Sequence, residues 1–152
     1  VLHNGHWEET AEDSTETRGF FIEDDGGFQK PMEFWIGAMT FTPDAKILIT
    51  GSRDNTIRFF EMPTMNELRV LRGHNGWVRS LTVSPDGKVL ISSGDDNAIR
   101  FWDIATGRNF RTDKTHTGPV RGVALSPDGL RLASASWDRT VKLWEGGQEP
   151  AE

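Results

Sequence analysis

One stretch of sequence is written three times at a fixed spacing, and that repetition constrains the fold more than any single motif. Asp54, Asp96 and Asp138 are each 42 residues apart. The same offset relates Pro43, Pro85 and Pro127, each followed by an aspartate, and it relates Phe60, Trp102 and Trp144. A period of this size marks a repeat architecture, in which each unit is one supersecondary element that buries its apolar face only against its neighbours. The second and third copies, from Gly73 to Glu145, agree best, and the first, upstream of Gly73, is degenerate.

Within a copy the pattern predicts four short strands and no helix, so the class is all-β. In the middle copy a strand over Val78 to Val83 places Val78, Ser80 and Thr82 on one side and Arg79, Leu81 and Val83 on the other, a blurred division of faces. Ser84-Pro85-Asp86-Gly87 reads as a turn: proline presets φ, aspartate bonds the local backbone, and glycine accepts positive φ. Strands over Lys88 to Ser93, Ala98 to Asp103 and Arg108 to Thr112 follow, the first two separated by the polar hairpin Gly94-Asp95-Asp96-Asn97.

Counting from the aligned aspartate exposes a constellation. In copies two and three His74, Ser92, Asp96 and Trp102 recur as His116, Ser134, Asp138 and Trp144. A catalytic triad is one reading of His, Ser and Asp. Repetition argues for another: a nucleophile is needed once per site, whereas a packing network is needed once per structural unit. Aspartate bonding imidazole, imidazole bonding hydroxyl and hydroxyl bonding indole N–H satisfies every buried polar group. No catalytic residue is therefore assigned. Copy one carries Met32 and Phe60 where the others have His and Trp, so its unit is expected to pack more by apolar contact and to be less rigid.

Gly73-His74, Ser84-Pro85-Asp86-Gly87, Asp96 and Phe101-Trp102-Asp103 together resemble a WD repeat, and the resemblance covers residues 32 to 145. It implies β-propeller blades of four antiparallel strands, each repeat supplying an outer strand and then the three inner strands of the next blade. The eight residues above match the family's structural tetrad. On that basis residues 1–17 read as an acidic tail or loop, 18–31 as a strand hairpin of an incomplete or completing blade, and 32–72 as a degenerate blade 1. Residues 73–114 read as blade 2, 115–145 as blade 3 without its outer strand, and 146–152 as a tail.

The resemblance also implies a usual contact face, at the start of the innermost strand and at the residue before the aspartate. Mapped here, it comprises Trp35, Arg53, Trp77, Arg79, Asp95, Arg121 and Trp137, with Gly37 and Pro119 at equivalent positions. Tryptophan and arginine are the residues enriched at protein–protein hot spots. The bland alternative is that Trp35 and Trp77 simply cover neighbouring blades.

Charge and composition bound the rest. The net charge is −6, and residues 1–30 carry eight acids against Arg18 and Lys30, which leaves the remainder neutral. A neutral body argues against a nucleic-acid partner. There is no cysteine, and no apolar run reaches the ~18 residues of a membrane span, so no membrane partner and a cytoplasmic location are expected. His3 and His6 complete no coordination sphere, and neither a metal nor another cofactor is expected. The expected function is a non-catalytic protein-binding scaffold; the alternative is a regulatory or substrate-docking portion of a larger enzyme, such as a kinase or protease. Propellers need about 4–8 blades to close, so completion by further sequence or by a second chain is expected, a closed dimer being the favoured self-assembled form.

Overall fold

The computed structural model of the chain describes residues 2–3, 6–7 and 35–146, and every regular element in them is a β-strand. β1 (Leu2–His3) and β2 (His6–Trp7) form a small antiparallel pair with His3 opposite His6. The expected hairpin over 18–31 and the Met32 position lie outside the described residues.

Three antiparallel meanders follow. The first sheet contains β3 (Ile36–Phe41), β4 (Ile47–Ser52), β5 (Ile57–Glu61) and β6 (Glu67–Leu71) in that order. The second contains β7 (Val78–Val83), β8 (Val89–Gly94), β9 (Ile99–Asp103) and β10 (Asn109–Asp113). The third has β11 (Val120–Leu125), β12 (Arg131–Ser136) and β13 (Val141–Glu145), with no fourth strand among the described residues. The turn chemistry is as the residues demand. In the second sheet Gly87 holds φ at +73° and its N–H donates to Ser84 O, while Asp86 accepts from the Ser84 hydroxyl at 2.6 Å.

The faces of the innermost strands need correcting. Strict alternation would separate Val78 from Leu81, yet both are buried in one core. A β-bulge is the reason: Val78 pairs with Gly94 and Ser80 with Ser93, so Arg79 is left over and the alternation inverts past it. The same register shift occurs between Ile36 and Ala38 and between Val120 and Gly122. A bulge re-aims the extra residue, and here that residue is Gly37, Arg79 or Arg121.

The sheets stack face to face, which creates two apolar layers. Ile49, Ile57 and Phe59 of the first sheet meet Leu81, Leu90 and Trp102 of the second. Ile91 and Ile99 on the opposite face of the second sheet meet Val123 and Leu132 of the third, with Trp144 packed alongside. Burial of this kind is worth roughly 25 cal/mol per Å² of apolar surface. The third sheet has an equivalent forward face, on the side away from Leu132 and Trp144. There Val141 and Leu143 take the places of Ile99 and Phe101, yet they are 69% and 76% exposed.

Candidate functional site

Beneath one edge of the stack the repeated His, Ser, Asp and Trp join into hydrogen-bonded chains. The Trp102 indole N–H donates to Ser92 Oγ at 2.8 Å, and Ser92 is 2.7 Å from His74 Nε2. His74 Nδ1 lies 2.9 Å from Asp96, whose carboxylate also accepts the backbone N–H groups of Asn75 and Ala98. One consistent direction satisfies every atom: indole to hydroxyl, hydroxyl to Nε2, and Nδ1–H to carboxylate. Burial raises the Asp96 carboxyl, but the hydrogen bond from His74 and those two backbone donors more than offset it, leaving it at about 2. The third sheet repeats the chain through His116, Ser134, Asp138 and Trp144, with a longer indole contact of 3.3 Å. Ser92 and Ser134 are almost wholly enclosed, so neither hydroxyl faces a space where a reacting carbonyl could sit.

Blade one is wired differently. Phe60 fills the indole position with its ring buried, and the Thr50 hydroxyl, aligned with Ser92, is buried without a hydrogen-bond partner among the described residues. Asp54 accepts instead from the Ser52 and Thr56 hydroxyls and pairs with Arg58 at 2.9 Å. Its carboxyl, raised by burial, is brought down to about 2 by those donors. Sequence reasoning passed over Arg58, although it aligns with Arg100, which lies 3.9 Å from Asp96. It also passed over Thr140, whose hydroxyl donates to Asp138 at 2.6 Å and is the largest cause holding that carboxyl well below the usual range.

The residues mapped from the start of each innermost strand and from before each aspartate lie on the edge above these chains. They form one continuous line across the three sheets. Trp35 and Trp77 are 6.4 Å apart between ring centroids, and the Arg53 guanidinium stands over both, at 5.0 and 5.7 Å. Arg79 lies 3.5 Å from the Trp77 ring centre and donates twice to Asp95, at 3.0 and 2.8 Å. Arg121 approaches Asp95 to 3.7 Å and stacks on Trp137 at 3.7 Å. Trp35 and Trp137 are 68% and 66% exposed. Trp77 is only part-exposed, so the covering role weighed for it holds in part. It leans over Gly37, where a Cβ would come within 2.3 Å of the indole nitrogen.

Two structural devices hold this line. The bulges turn Arg79 and Arg121 out of the strand alternation toward the edge. A recurring backbone bond then ties the two loops of each sheet: Arg53 N–H to Trp35 O, Asp95 N–H to Trp77 O, and Trp137 N–H to Pro119 O, at 2.9 to 3.0 Å. Among the described residues no cluster of three or more His, Cys, Asp and Glu could hold a metal ion, and no helix is long and apolar enough to cross a membrane.

The family model described as WD domain, G-beta repeat matches residues 30–61, 65–103 and 107–145. The second and third matches each begin with the outer strand of one sheet (β6 or β10) and end with the three inner strands of the next. With three antiparallel sheets stacked in this phase and most of the chain matched, the protein belongs to the WD40 repeat family.

Proposed function

We propose that the chain is a non-catalytic scaffold segment that binds a protein partner through the edge running from Trp35 to Trp137. WD40 repeats generally mediate protein–protein interaction. The observation that carries the reading is the unbroken line of three indoles, three guanidiniums and Asp95. Large flat side chains held by neighbours lose little freedom when a partner arrives, which is why tryptophan and arginine dominate binding hot spots. The His–Ser–Asp–Trp chains serve as packing networks in this reading, since each polar atom in them is already engaged and enclosed.

Completion of the propeller belongs to the same proposal. Val141 and Leu143 occupy positions that are buried or, at Phe101, partly buried in the first two sheets, which supports cover by a further blade, from more of the same polypeptide or from a second chain. The scaffold reading is tested by affinity capture with the native chain and with Trp137→Ala. A genuine partner should lose about 2 kcal/mol of affinity while the melting temperature stays put. A variant that melts markedly lower, and binds as well per folded molecule, would show Trp137 to be core rather than contact.

A further inference from the structure

Charge is sorted between the two edges of the stack. The turns at the far edge and the strand ends that enter them carry Asp44, Glu61, Asp86, Asp103 and Asp128 against Lys46, Lys88 and Arg108, with Arg69 bonded to the Ile104 and Ala105 carbonyls. At the tryptophan edge the balance reverses, because the aspartates there are turned inward. Asp54 is spent on Arg58, Asp96 on His74, and Asp138 on His116 and Thr140. Asp113, at the end of β10, accepts from the Thr115 N–H and hydroxyl, and Asp95 serves two guanidiniums, Arg79 with two bonds and Arg121 at 3.7 Å. No carboxylate of the described residues lies within 4 Å of Arg53, Arg72, Lys114 or Arg139.

We propose that this edge takes an acidic protein segment, rich in Asp and Glu and carrying an apolar side chain. The inference rests on the reading that the edge is the partner surface, and adds the chemistry of what binds there. Asp95 is the internal template. It shows a carboxylate seated in the plane of a guanidinium whose face is already occupied by an indole. Arg121 is likewise stacked on Trp137 with only a distant share of that carboxylate; its Nε is buried without a hydrogen bond among the described residues, so the rest of its part-exposed guanidinium is what it offers. Stacking fixes the guanidinium plane, so an incoming carboxylate finds oriented donors and little side-chain freedom is lost. The exposed rings of Trp35 and Trp137 flank these cations and supply apolar contact for a leucine or similar residue.

The alternative polyanion, a single-stranded nucleic acid, fits less well. Such strands bind by stacking bases on open aromatic faces, and here each indole of the line already carries a guanidinium on a face. Aspartate and glutamate ask only for the in-plane N–H groups, which stacking leaves at the guanidinium rim.

Fluorescence anisotropy with three labelled probes decides the matter: a peptide of Asp and Glu around one leucine, the same peptide with Asn and Gln, and an oligothymidine. The acidic peptide should bind at least about tenfold tighter than its neutral twin, and should weaken with salt. Arg53→Gln and Arg121→Gln should each weaken it about three- to tenfold with unchanged melting. Asp95→Asn should tighten it by a similar factor, because it releases Arg79 and Arg121; a purely structural Asp95 would not produce a gain. Equal binding of the two peptides, weakened alike by Trp137→Ala, would overturn the acidic chemistry and keep the contact face. Binding indifferent to all four variants would overturn both. Preference for oligothymidine, or no binding of the acidic peptide, would likewise overturn the proposal.

Discussion

Removing the Ser92 hydroxyl tests the hydrogen-bond accounting most sharply, because the three copies supply their own controls. Ser92 Oγ receives the Trp102 N–H and faces His74 Nε2, and all three side chains are buried. Ser92→Ala leaves an indole donor and an imidazole acceptor unpaired, in a gap too small for water. Each orphaned group costs about 1–3 kcal/mol, and partial relaxation brings the expected total to about 2–4 kcal/mol. Ser134→Ala should cost less, about 1–2 kcal/mol, since its indole contact is already 3.3 Å and Trp144 is only partly buried. Thr50→Val in copy one removes a buried hydroxyl that bonds nothing among the described residues, so it should be neutral or stabilise by about 1 kcal/mol. Urea denaturation followed by tryptophan fluorescence gives the three values on one scale. If Thr50→Val is as damaging as Ser92→Ala, the position matters for shape and the hydrogen-bond argument fails.

Two further outcomes are expected. Asp54 and Asp96 are brought from an ordinary 3.8 to about 2 in the folded protein, so their contribution is complete above about pH 4 and disappears as pH falls toward 2. Melting temperature against pH should therefore drop across that window, less steeply in Asp96→Asn; identical slopes would sink the assignment. Light scattering on the isolated chain should show association through the bare face of the third sheet, and Leu143→Glu should suppress it without lowering the melting temperature. A monodisperse monomer before substitution would remove the case for cover by a second chain.

Much of this was legible because position within a repeat dictates position in space. Arg53, Asp95 and Trp137 are unlike as residues, yet the period puts each at the same place in its hairpin, and the resemblance to WD repeats sets Trp35 and Trp77 on the same edge. The division of faces in Val78 to Val83 was not legible, since a bulge inserts one residue without altering the hydrophobic string. Arg79 and Arg121 point where they do for that reason. The rewiring of Asp54 escaped notice for a different one. Losing a histidine is visible at one position, but Arg58 takes over only through side-chain reach, four residues along. Its aligned partner Arg100 was the available signal. The approach of Trp77 over Gly37 joins two sheets, and contacts between sheets leave no local trace.

The phase between sequence unit and sheet has a consequence for how such a chain changes length. A segment from the start of one outer strand to the end of the next inner trio, such as 65–103, is never a whole sheet. Excising residues 62–103 would bring β10 after β5, so the first sheet would keep four strands, its outer one now sequence from the second. Inserting a copy would do the reverse, and every sheet between the ends would again be clasped by a strand from the adjoining unit. Recombination at this period therefore alters the number of layers while leaving no interior sheet with an unpaired edge, so variation in blade number carries no folding penalty at the joint itself.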